Sequence, residues 1–150
     1  MSVPSTAIPG AVPEAHEEAK PRGWRRWVYA TNHKDIGTMY LVLSSVMFFI
    51  GGSMAMAIRA ELFKPGLQFF DPEFFNSLTT LHGLIMIFGV LMPALVGLGN
   101  WMIPMQIGAP DMAFALMNNW SFWLLPPAAI MLLMSLLVPG GAASGGWTMY

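Results

Sequence analysis

The polar positions of this sequence fall in clusters that cut three long apolar runs out of the chain. The first run, from Ile36 to Ile58, holds no Asp, Glu, Lys or Arg. Its residues, about 23 of them at 1.5 Å each, reach roughly 35 Å, enough to cross a bilayer with some tilt. Asn32 or Asp35 can cap a helix in front of it, and Arg59-Ala60-Glu61 closes it. Gly51-Gly52-Ser53 inside the run are small residues that let helices approach closely. After a Pro65-Gly66 turn, Asp71-Pro72-Glu73 combines a cap, a first-turn proline and a first-turn acid. It predicts a second helix from about Phe74 to Met102, kinked by Pro93 and ended by Pro104 and Gly108. The third run opens after Asp111, whose spacing is that of an N-cap. It extends from about Ala113 to Val138, kinks at Pro126-Pro127 and stops at Pro139-Gly140-Gly141. The expectation is an all-α membrane bundle with spans at about 36–59, 74–103 and 112–138.

Composition agrees. Of 150 residues 55% are apolar and only 10% charged, where a soluble domain carries about a quarter charged. Five of the seven cations, Lys20, Arg22, Arg25, Arg26 and Lys34, precede the first run, which predicts a cytoplasmic N-terminus. Residues 1–23 are Pro-, Ala- and Glu-rich and are expected to form a disordered cytoplasmic tail, with a single membrane domain over 24–150. Trp24-Arg25-Arg26-Trp27 alternates indole and guanidinium, as suits the headgroup level of the inner leaflet. No removable signal peptide is expected at the start. There is no cysteine, so neither a disulfide framework nor a thiolate metal site. The sequence holds no phosphate loop, nucleophile constellation, paired carboxylates or basic patch for nucleic acid. The fourteen methionines read as adaptable apolar filler.

One residue stands against this pattern. His82 lies in the uncharged stretch Leu81–Leu98, where an imidazole can be neither well solvated nor cheaply charged. It needs a hydrogen bond, another polar side chain or a metal. A structural histidine bonded to a neighbouring helix and a heme iron ligand both satisfy that need. His16 and His33 lie on the inner side, away from its depth. A bis-histidine heme would therefore take its second imidazole from another chain or from a later part of this one, and the sequence is expected to be an N-terminal piece. On residue type alone Arg59 is a snorkelling end charge, Glu61 a solvated loop carboxylate and Asp111 a cap.

The motifs then point together. Thr31-Asn32-His33-Lys34-Asp35-Ile36-Gly37, Ile58-Arg59-Ala60-Glu61-Leu62, Leu81-His82-Gly83-Leu84-Ile85-Met86-Ile87-Phe88, Gly108-Ala109-Pro110-Asp111-Met112 and Met117-Asn118-Asn119-Trp120-Ser121 occur in this order. Over about residues 24–150 the chain closely resembles subunit I of the heme-copper cytochrome c oxidases of mitochondrial-like type, a fold of twelve membrane helices. The resemblance implies that His82 is an axial ligand of a low-spin heme a and that Arg59 bonds its formyl group. It implies a proton-uptake path entered at Asp111 and lined by Asn100, Asn118 and Tyr40. It implies a calcium or sodium site at Glu61 and the Gly66 carbonyl, which Gln68 joins. The second heme and the copper would be held outside these residues. Oxidase subunits II and III, cytochrome c as electron donor and the lipid bilayer are the implied partners. The implied location is a bacterial inner membrane crossed several times. A quinol oxidase of the same superfamily and a non-catalytic membrane bundle are the alternatives. Two positions depart from the family: Ala115-Leu116 stands where many members carry Pro-Arg, and Lys64 lies inside the cation loop.

Overall fold

The computed structural model describes residues 23–148. The tail expected at the start of the chain lies outside the described residues, apart from Gly23. A short helix α1, Arg25–Val28, precedes the first long helix α2, His33–Glu61. A second long helical body follows in three pieces: α3, Pro72–Leu84; a π-helical stretch, Ile85–Leu91; and α4, Met92–Ile107. The third consists of α5, Ala115–Trp123, and α6, Leu125–Met134, with one 3₁₀ turn at Ser135–Leu137. Among the described residues there is no strand. Three bodies, His33–Glu61, Pro72–Ile107 and Ala115–Leu137, are long and apolar enough to cross a membrane.

The helix ends follow local chemistry. The Asn32 side chain accepts from the Lys34 N–H at 2.8 Å, so Asn32 and not Asp35 caps α2. Asp71 caps α3 by accepting from Phe74 N–H at 2.9 Å, with Pro72 in the first turn. Gly108 ends α4 at φ 69°, a left-handed conformation that glycine adopts without a Cβ penalty. Pro104, expected near the end, is inside the helix. The proline pair breaks the third body at Leu124, where α5 gives way to α6.

Helix α2 is the axis of the fold. Its buried positions include Ile36, Gly37, Tyr40, Ser44, Met47, Gly51 and Met54, a stripe at helical spacing. One apolar cluster gathers Met47, Met54, Leu78, Leu81 and Ile85; another gathers Ala30, Ile36, Met39, Tyr40 and Phe122. Helices α2 and α4 pack backbone to backbone at Gly37 and Gly97: a Cβ on Gly37 would sit 2.8 Å from the Gly97 carbonyl oxygen. By contrast, α6 buries none of its residues. Beyond it, the Gly-rich segment turns back along α3. Ser77 Oγ donates to the Ala142 carbonyl at 2.9 Å, Gly146 N–H donates to Thr80 Oγ1 at 3.0 Å, and a Cβ on Gly83 would meet Trp147 at 2.9 Å.

Candidate functional site

His82 lies in the last turn of α3, two residues before its end, and is half-buried. Its Nδ1 lies 2.9 Å from the Gly51 carbonyl oxygen on α2. A carbonyl can only accept, so Nδ1 carries the proton and Nε2 keeps its lone pair. The tautomer is thereby set by a backbone atom, the arrangement that prepares an imidazole to bind a metal through its other nitrogen. Gly51 has no room for a side chain: a Cβ would lie 2.8 Å from Met86 Sδ and 3.1 Å from Ile85 Cγ2. No group of three or more His, Cys, Asp or Glu that could hold a metal ion occurs among the described residues. A single imidazole presented this way suits an ion that brings its other ligands with it, as heme iron does. Arg59 is in the last turn of α2, exposed, and joins no ion pair among the described residues.

A second polar constellation lies at the N-terminal end of α2, roughly 27 Å from Gly51 by helical rise. Asp111 does not cap the third body, which starts at Ala115 with Phe114 before it and no side-chain cap. Its Oδ1 instead accepts from the His33 N–H at 3.1 Å and the Met112 N–H at 2.8 Å. The carboxylate thus serves the first turn of α2, where free N–H groups and the helix dipole favour a negative charge. His33 is buried, and its Nδ1 lies 2.8 Å from the Asn100 carbonyl. Asn100 and Asn118 bond to each other side chain to side chain, at 3.1 and 3.4 Å. Ser121 Oγ sits 2.7 Å from the Asn118 carbonyl and 2.7 Å from Tyr40 Oη. Asp111, Asn100, Asn118 and Tyr40, singled out by sequence, are therefore joined into one polar line through His33 and Ser121. Neither of those was singled out. A signal existed for Ser121, which falls one turn after Asn118. Beside this line, the buried Asn119 donates to the Ala30 carbonyl at 2.7 Å. Arg26 grips Asp35 with two hydrogen bonds, at 2.6 and 2.8 Å. The hydrogen bond from Asp35 and its charge push the Arg26 guanidinium further above its ordinary range, so alkaline pH does not release this pair.

At the other end of α2, Glu61 is buried and accepts three backbone N–H groups, from Gln68 at 2.8 Å, Phe69 at 2.7 Å and Phe70 at 3.2 Å. The Gln68 side chain donates to the Pro65 and Gly66 carbonyls at 3.3 and 3.4 Å.

Three apolar helices, a histidine oriented by a backbone carbonyl and a separate polar line define a helical membrane protein with a metal-ligand candidate at one depth and a hydrogen-bonded path at another. The family described as "Cytochrome C and Quinol oxidase polypeptide I" matches residues 35–150, and the chain belongs to that family. It is 52% identical over 120 residues to a protein named cytochrome c oxidase subunit 1 of Corynebacterium diphtheriae, covering 80% of this chain and 21% of that protein. A protein of the same name from Corynebacterium efficiens is 45% identical over 92% of this chain and 24% of its own length. Another, from the scallop Pecten maximus, is 44% identical over 85% of this chain and 27% of its own length. The chain spans about a quarter of the curated relatives it matches.

Proposed function

We propose that these three spans belong to the catalytic subunit of a terminal respiratory oxidase. The whole protein would take electrons from cytochrome c through a low-spin heme, reduce oxygen at a heme-copper centre and pump protons. The observation that carries this reading is the His82–Gly51 contact, which leaves Nε2 as a free lone pair in an apolar setting. When bound, the low-spin heme supplies one-electron transfer. The residues of this chain do the rest. Gly51 fixes the imidazole tautomer, and the apolar walls from Met54, Leu78, Leu81 and Ile85 keep water from the surrounding core. Arg59 is proposed to bond the formyl group of heme a, a charge-assisted contact. The other cofactor ligands would come from other parts of the full-length protein, which is proposed to sit with subunits II and III in a bacterial plasma membrane, N-terminus inside.

The same reading makes Asp111 the entrance of the proton path. A proton taken up at Asp111 would pass along waters held by Asn100, Asn118, Ser121 and Tyr40, polar groups that carry no charge of their own. For a calcium or sodium ion the fit is poor. Both Glu61 oxygens already accept backbone N–H groups, and Lys64 brings a positive charge into the loop. Glu61 is instead proposed as the anchor of its loop.

The test is a reduced-minus-oxidised spectrum of membranes carrying the full-length protein. His82→Ala is expected to abolish the low-spin heme band; an unchanged band refutes the reading. Asp111→Asn is expected to slow turnover by ~10-fold or more and to stop pumping, because the path loses its titratable mouth. A normal proton-to-electron ratio in that variant would remove Asp111 from the path. A cytochrome c-independent, quinol-driven activity would favour the quinol oxidases of the same superfamily.

A further inference from the structure

The buried faces on the two sides of the π-helical stretch do not match in register. Before it, the buried residues are Ser77, Leu78, Thr80 and Leu81, continued by Ile85; after it, they are Pro93, Gly97, Asn100 and Pro104. On an unbroken α-helix, at 100° per residue, these two sets would point roughly 140° apart. Yet both sets pack in the interior. The seven residues Ile85–Leu91 turn more slowly, at about 4.4 residues per turn, and so take back roughly 125°. The stretch is closed by its own backbone and held from α2. The Met92 N–H reaches back five residues to the Ile87 carbonyl. The buried Ser44 of α2 donates to the Val90 carbonyl at 2.9 Å. A Cβ on Gly89 would press on Met47 at 3.3 Å.

We infer that the wide stretch Ile85–Leu91 is a register adaptor, holding one residue more than an α-helix needs. It brings the buried face of Ser77, Thr80 and Leu81, before it, and that of Gly97 and Asn100, after it, to the same side of the bundle, and Ser44 holds it by the bond to the Val90 carbonyl. This rests on the roles proposed above for Asn100 and Asn118, but the register itself can be read without them. One surplus residue corresponds to a 100° turn and a 1.5 Å advance. Removing it lets the backbone return to α-helix with both faces in place. Adding another rotates the Asn100 half away from Asn118.

The experiment uses the full-length protein in membranes with Asn100→Cys and Asn118→Cys, whose native side chains bond at 3.1 Å. A short thiol cross-linker reports whether these positions still face each other. Deletion of Leu91, an exposed residue of the stretch, is expected to keep the cross-link within about twofold of the parent. Insertion of one alanine after Leu91 is expected to lower its yield at least tenfold. Deletion of Phe88, also exposed, gives a second version of the shortened stretch. On the background that retains Asn100 and Asn118, the low-spin heme band is expected in both the deletion and the insertion variant, with proton uptake and its pH profile lost only in the latter. If both deletions lose the cross-link or fail to accumulate, or if the insertion keeps it, the adaptor role is overturned. A parent protein without the heme band would sink the functional reading, while the cross-link would still decide the register.

Discussion

Gly37 and Gly97 meet where no side chain fits, and neither neighbour of a Cβ on Gly37 can yield far. At Gly37 the obstacles are the Gly97 carbonyl at 2.8 Å and the Trp101 ring at 2.7 Å, a backbone atom and a rigid aromatic. At Gly52, one residue beyond Gly51 on the same helix, nothing lies within 4 Å. Gly37→Ala is therefore expected to destabilise the protein by about 1–3 kcal/mol, the cost of overpacking, since neither neighbour can turn aside. Gly52→Ala should be neutral or stabilising by about 0.5–1 kcal/mol, because it trades a flexible helical glycine for alanine. Thermal unfolding in detergent separates the two; equal midpoints would refute the packing argument. Sequence marked the Gly51-Gly52-Ser53 cluster as a place of close approach. It could not tell which glycine touches its neighbour, because that depends on a helix of distant sequence.

Among the elements, the short helix α1 is tied down by two polar contacts rather than by burial. No α1 residue is buried. The Arg26–Asp35 pair holds it to α2, and Asn119 on α5 holds the connecting turn through the Ala30 carbonyl. Asn119→Ala leaves that buried carbonyl without its partner, at a cost of about 1–3 kcal/mol. Faster proteolytic cleavage between residues 28 and 33 is the expected readout, with Trp120, exposed on the same helix, as a silent control at position 120. Proteolysis unchanged from the parent would show that the ion pair alone suffices. The adjacent asparagines also show what sequence can and cannot say. Asn118 and Asn119 look alike in a polar pair, yet helical geometry turns them 100° apart, one to Asn100 and the other to a backbone carbonyl. Asp111 is the same lesson in reverse. Its position in front of a helix reads as a cap, and it does cap, but the helix it serves begins at His33, 78 residues earlier. Capping chemistry is local and therefore legible; the choice of partner is tertiary and is not. Pro93 foretold a disturbance, but the wide stretch ahead of it answers a mismatch between two packed faces, which no window around the proline contains.

For the molecule as a whole, the three spans are unequally satisfied. Within their most apolar windows the first two bury 22% of residues and the third only 6%. The apolar surface of α6 thus looks outward, to lipid or to other protein. Expressed as these 150 residues in detergent, the chain is expected to exchange amide hydrogens fastest in α6 and slowest in the middle of α2, because local opening follows the number of buried contacts. Equal protection of the two would mean that the third span is held by contacts within this chain. The fold class was legible throughout, since uncharged runs of this length leave helices as the means of satisfying the backbone in lipid. The pairing of His82 with the Gly51 carbonyl was not, because glycine offers sequence reading no side chain to notice.

The fold-back of the Gly-rich segment imposes a timetable on synthesis. Ala142 and Gly146 can reach Ser77 and Thr80 only after the third span has been made and threaded across the membrane. Until then the Ser77–Thr80 part of the His82 helix lacks that covering. If His82 holds the proposed heme, a cofactor delivered while the ribosome is still at work would meet an open helix, and one delivered afterwards a latch that it must first undo.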